Sequence, residues 1–181
     1  MEMTEYRPEE ITTCNFRASD SLLLDANVWL FVYGPHQPGD RKVAVYSNAL
    51  KRMLVAESRI YVDVLVVSEF INRYAGLKWE IEHEVFPSFK EFRKSKEFKP
   101  LAQEIADAVK RALRHCTRIE SGFESPAVDS LIDEYSMGCF DFNDQILTAL
   151  CKEKGLKLVT DDGDFRTREI PIVTGNRHLL A

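Results

Sequence analysis

Short, unbroken apolar runs alternate along this chain with longer stretches of helical periodicity. That alternation constrains the fold more than any other feature. The first run is Ser21–Leu24, SLLL. Apolar residues without polar alternation fit a strand buried on both faces, as in a parallel sheet. RIYVD at 59–63, LKLVTD at 156–161 and PIVT at 171–174 are further candidate strands, and CTRIE at 116–120 is a shorter one. Between the runs, ANVWLFVY (26–33) reads as a short helix stopped by Gly34-Pro35. Residues 41–57 carry Val43, Ala44, Leu50, Met53 and Leu54 at helical spacing. Further helices are expected at 64–79, at 101–114, at 125–136 with Ser125 as cap and Pro126 at the first position, and at 142–154 closed by Gly155. Strands alternating with helices imply a three-layer α/β/α sandwich with a mostly parallel central sheet.

A chain of 181 residues suits one domain with a real core. Residues 1–20 are polar and aperiodic and read as an N-terminal arm; the domain proper would span 21–181, with an enlarged helical middle at about 79–120. Apolar residues at 45% and charged residues at 29% exclude wholesale disorder. The net charge of -5 argues against broad electrostatic binding of nucleic acid, unless clustered acids are neutralised by bound metal. Cys14, Cys116, Cys139 and Cys151 form no Cys-x-x-Cys pair, and the four histidines show no metal spacing. The first ten residues have no apolar core like that of a signal peptide, and no apolar run is long enough to span a membrane. A cytoplasmic protein without a membrane partner is expected.

Acidic residues fall where such a sheet would expose them. Asp25 ends the first strand; Asp161 and Asp162 end the LKLVT strand. Sites in open parallel sheets form just outside the carboxyl ends of strands, so these acids are expected to meet. Asp141 and Asp144 open a helix, where a cap and a dipole-favoured acid would equally explain them. Glu69 lies beside the apolar stripe of its helix, three and four residues after Val66 and Leu65. A carboxylate so placed needs a cation, a donor or a proton. Asp162-Gly163-Asp164 also reads as a solvated turn in which Gly takes the unusual backbone angle.

DANVW, SEF on a helix, DFNDQIL and LVTDDGDF, in that order, resemble the PIN-domain ribonucleases, including the VapC-like toxins of bacterial toxin–antitoxin pairs. The resemblance covers residues 21–78 and 138–175. It implies a catalytic set of Asp25, Glu69, Asp144 and Asp162, with Asn27, Asp141, Thr160, Asp161 and Asp164 in support. Either member of the Asp161-Asp162 pair could supply the fourth acid. It further implies Mg²⁺ or Mn²⁺ held by Asp25, Asp144 and Asp162, with Glu69 orienting the attacking water. Hard cations take oxygen ligands and stabilise charge on a phosphoryl group, which is what phosphodiester hydrolysis requires. The implied substrate is single-stranded or looped RNA; a small antitoxin and a second copy of the chain are the implied protein partners.

Substrate grip would fall to Arg41, Lys42, Lys51 and Arg52 on one helix. Arg93, Lys94, Lys96 and Lys99, interleaved with Phe92 and Phe98, are a second basic segment. Cations would meet phosphates while the rings stack on bases, although Glu91 and Glu97 interrupt the run as on an ordinary solvated face. Trp29 and Trp79 fit core or edge packing better. Two other functional readings use the same residues. One is a PIN-like scaffold that binds RNA or a partner without cutting. The other is a haloacid-dehalogenase-like phosphatase with Asp25 as nucleophile, although Asn27 stands where that chemistry wants an acid.

Overall fold

The computed structural model describes residues 6–36, 39–82, 85–124, 128–138 and 141–181, with residue 82 by its backbone alone. In chain order the elements are β1 (Glu9–Glu10), β2 (Ser21–Leu24), α1 (Ala26–Tyr33), α2 (Arg41–Val55), β3 (Arg59–Val62), α3 (Val64–Glu82), α4 (Phe89–Lys94) and α5 (Phe98–Leu113). They continue with β4 (Thr117–Arg118), α6 (Val128–Ser136), α7 (Phe142–Lys154), β5 (Lys157–Val159), a 3-10 turn (Gly163–Thr167), β6 (Ile172–Thr174) and α8 (Arg177–Leu180).

The six strands form one sheet in the order β1-β6-β5-β2-β3-β4, and every neighbouring pair is parallel. Helices cover both faces, which gives the expected α/β/α layers. Burial on both faces explains the apolar runs: Leu22, Leu23, Leu24, Leu158, Val159 and Val173 are all fully buried. The chain runs from β2 to β3 on one side, and later returns to lay β5 on the other. The gap beyond β2 and β5 is therefore the topological switch point, where a parallel sheet opens a crevice. Leu24 faces Val159 in register, and the Asp25 amide continues the ladder by donating to the Val159 carbonyl at 3.0 Å. The residues that follow each strand, Asp25 and Thr160, are side by side as a result.

Several elements differ from the sequence expectation. The segment read as an arm contributes strand β1 at the sheet edge, and its Ile11, Cys14 and Phe16 are buried. Arg52 ties it down by donating to the carbonyls of Ile11, Thr12 and Cys14, with its guanidinium over the Phe16 ring. The core-facing stripe of α2 is Tyr46, Ala49, Leu50 and Met53, leaving Ala44 and Leu54 exposed. The helix is rotated so that the Tyr46 hydroxyl can donate to Asp161 Oδ1 at 2.9 Å and accept the Gly175 amide at 3.0 Å. Helix α5 begins at Phe98, a turn before Leu101. The cap and first-turn proline expected at Ser125 and Pro126 lie outside the described residues, as does Cys139. Helix α7 closes as expected, with Gly155 in the left-handed region at φ 63°. Cys14, Cys116 and Cys151 are free thiols, pushed up to about 11, 12 and 12 chiefly by burial. Among the described residues no helix is long and apolar enough to cross a membrane.

Candidate active site

Asp25 lies at the base of the crevice. It is the N-cap of α1 and only 5% exposed. Its Oδ1 accepts the Ala26 amide at 2.5 Å; its Oδ2 accepts Asn27 Nδ2 at 2.5 Å and Thr160 Oγ1 at 2.7 Å. Asn27 also donates to Thr160 Oγ1 and accepts the Asp161 amide, which binds the end of β5 to the start of α1. A carboxylate has about four lone-pair positions, so these three donors leave one free. Despite the donors, desolvation holds the Asp25 carboxyl up at about 6, and the charges of Glu69 and Asp162 push the same way.

Asp144 comes from the first turn of α7, behind Asp141, whose side chain caps the helix by accepting the Asn143 amide at 2.8 Å. Both sequence readings of this pair hold in part. Asp141 is an exposed cap. Asp144 sits where the helix dipole favours an anion by about 0.3–1 kcal/mol. That stabilisation is outweighed: desolvation, then the charges of Asp141, Asp25, Asp162 and Glu69, raise Asp144 to about 7 from its ordinary 3.8. Asp25, Glu69 and Asp162, from three other elements, therefore lie near enough to Asp144 for their charges to act on it. Glu69 projects from α3, half-buried, with Oε1 3.3 Å from Arg73 Nη1 one turn on.

The two members of the doubled aspartate differ in their contacts. Asp161 turns toward α2, where it is 8% exposed and bonded to Lys42 and Tyr46. Asp162 is the one whose charge reaches Asp25 and Asp144. It also caps the 3-10 turn through the Asp164 amide at 3.0 Å. Gly163 has no positive φ, so the turn needs no glycine for that reason. Asp164 is exposed and contributes its amide to Asp162. The sequence reading missed Asp63. It follows β3 as Asp25 follows β2, is 1% exposed, and its Oδ2 has no partner among the described residues. The signal was present, since RIYVD ends in an acid as SLLLD does.

The oxygen donors suit a hard divalent cation in chemistry: all are carboxylates, and among the described residues Arg73 is the cation paired with any of the four. No three metal-ligating groups among the described residues stand close enough to grip an ion directly. Mg²⁺ keeps several of its waters and needs few direct protein ligands, so carboxylates that do not reach one ion together could hold it only through water.

The basic residues are corrected in several respects. The Lys42 ammonium is committed to Asp161 and lies 5.5 Å from the Phe31 ring centroid. Arg52 serves the fold, as above. Phe92 is 2% exposed at the centre of a ring cluster with Phe86, Phe89 and Phe98, so it offers no face to a base. Arg93 packs over Phe89 and Phe98; Lys94 is exposed at the end of α4, which packs against α3 and α5, and Lys96 is exposed just beyond it. Trp29 is in the core as expected, and Trp79 is half-buried against Phe89. The phosphatase reading wants an acid two residues after Asp25; Asn27 stands there instead, and its amide is spent on Asp25 Oδ2.

The PIN domain family matches residues 22–170, and the chain belongs to that family. Among solved structures, VapBC2 from Rickettsia felis, bound to a DNA fragment from its promoter, is similar at a TM-score of 0.53. It is 14% identical, over 85% of this chain and 98% of that one. PAE2754 from Pyrobaculum aerophilum gives a TM-score of 0.49 at 14% identity, over 95% of this chain and 94% of that one. No individual curated protein matches in sequence.

Proposed function

We propose that the chain is a metal-dependent endoribonuclease acting on single-stranded or looped RNA. What carries this reading is that β2 and β5 end side by side at the switch point, with Thr160 bonded to Asp25, and that the carboxyls of Asp25 and Asp144 are both raised, chiefly by burial and further by the other acids of the set. Carboxylates that repel one another in a crevice hold a proton or a cation. Asp25 and Asp144 are the proposed metal residues, with Asp162 completing the set. A bound Mg²⁺ or Mn²⁺ would supply Lewis-acid stabilisation of charge on the phosphoryl oxygens. Asn27 and Thr160 both donate to Asp25 Oδ2, and the Thr160 hydroxyl favours its ionised form. Glu69, with Oε1 turned to Arg73, accepts the proton of the attacking water at Oε2. Asp141 raises Asp144 without touching substrate.

The test is cleavage of defined RNAs in Mg²⁺, Mn²⁺ and EDTA. Wild type is expected to cut only with metal, and Asp144→Asn to lose cutting while keeping its fold. Cutting that persists in Asp144→Asn would sink the assignment. A toxin role belongs to the same proposal, with a small antitoxin covering the acids and silencing the chain. Homodimerisation is a further part of it. A non-cutting scaffold is the second reading, favoured by the absence of a ready three-ligand cluster among the described residues. RNA binding in Mn²⁺ without cleavage, unchanged by Asp25→Asn, would establish it.

A further inference from the structure

We propose that the cavity between α2 and the C-terminal turn seats a backbone phosphate of the bound RNA strand, next to the phosphate being cut. The proposal rests on the nuclease reading. The cavity measures about 670 Å³, and its charged lining is Glu10, Arg41, Lys42, Asp161 and Arg177, with His178 beside them. It adjoins the acidic crevice through the chain itself: Asp161 lines the cavity, and the next residue, Asp162, acts on Asp25 and Asp144.

Its charge is opposite to that of its surroundings. Three cations against two carboxylates give the lining a net +1, in a chain of net -5. Both carboxylates are already engaged. Glu10 Oε1 accepts the Thr12 amide and hydroxyl at 3.3 and 3.0 Å, and Asp161 accepts Lys42 and Tyr46. Arg41 and Arg177 have no ion pair among the described residues, so two guanidiniums stay available. A guanidinium presents a planar fork that matches two phosphate oxygens. A base would find little here: the lining's aromatic carbocycle, Tyr46, is buried with its hydroxyl committed. The acids of the crevice repel a polyanion, so cations beside them are what lets the strand approach.

Binding of a short labelled single-stranded RNA to full-length Asp144→Asn protein, followed by anisotropy over a KCl series, tests this. Adding Arg41→Gln or Arg177→Gln is expected to weaken binding about three- to tenfold. It should also lower the slope of log K against log salt by about 0.7 for each phosphate that is no longer neutralised. Arg41→Lys and Arg177→Lys should keep most of the slope, and circular dichroism should be unchanged because both side chains are exposed. A neutral methylphosphonate moved along the strand should weaken binding at one position, and that loss should vanish in the double Gln variant. Unchanged affinity and slope in the double variant, or a methylphosphonate loss that persists in it, would overturn the proposal while wild-type cutting in Mn²⁺ left the nuclease reading standing. Arginine-dependent binding by a wild type that never cuts would do the reverse.

Discussion

Asp144 is the residue whose environment can be read most directly in solution. Its carboxyl is raised to about 7, by desolvation and by four neighbouring acids. Below about pH 4 the folded and unfolded chains both hold this proton. As pH rises toward 7 the unfolded chain releases it while the folded chain keeps it, so folding loses stability across that window. In EDTA, Asp144→Asn should therefore gain on wild type as pH goes from 4 to 7. The gain should be on the order of 1–2 kcal/mol after allowing for the carboxyl's partial exposure. Urea melts at several pH values measure it, and a constant difference between the two proteins would contradict the shared-crevice electrostatics. Thr160 tests the opposite influence. Its hydroxyl favours ionised Asp25, so Thr160→Val should cost about 1–3 kcal/mol. It should also move the acid limb of any metal-dependent cutting to higher pH. A limb that stays in place would mean that Asp25 is not the group that must ionise. These roles were legible in the sequence only as positions. That Asp161 turns to α2 depends on Tyr46 and Lys42, more than a hundred residues away.

At the level of elements, the longer helices and four of the six strands announce themselves, because burial writes a period or an apolar run into the sequence. Strands of two residues carry no period. CTRIE hinted at β4, but β1 was read as part of an arm although it pairs in parallel with β6. Its attachment depends on Arg52, which donates to three carbonyls of the segment and covers Phe16. Charged donors to buried carbonyls contribute about 1.5–3 kcal/mol in such settings. Arg52→Ala is expected to destabilise the protein by about 2–3 kcal/mol and to abolish exchange protection at the Ile11 amide before that at Asp25. Arg52→Lys should recover little, because an ammonium lacks the planar fork that reaches three carbonyls at once. Uniform loss of protection across the sheet would show instead that β1 is integral to the core. The basic segment around Phe92 failed as a binding surface for a related reason: ring–ring packing absorbed the aromatic faces that the sequence left open.

For the molecule as a whole, fold and crevice follow from one arrangement. Parallel strands deliver their carboxyl ends to one edge, the reversal between β2 and β5 opens that edge, and α3 and α7 bring acids to it from the layers. The sequence conveyed this through order alone: apolar run, acid, helix, repeated. It did not convey spacing, which is set by how far each helix slides on the sheet. Such a crevice is destabilising when it is fully ionised and empty of counter-charge. A divalent ion should then bind the folded chain and raise its stability by mass action, about 2.7 kcal/mol at a hundredfold excess over Kd. For a chain of this size that is a rise of roughly 5–10 °C in Tm. Protons compete for the same carboxylates, so the Mg²⁺- or Mn²⁺-induced shift should be larger at pH 8 than at pH 6. Asp25→Asn and Asp144→Asn should each shrink it, and Asp164→Asn should leave it unchanged, since that exposed side chain stands outside the mutually repelling set. Thermal scans with metal and with EDTA at the two pH values decide the matter. An equal shift in Asp144→Asn and wild type would place any bound ion elsewhere on the chain.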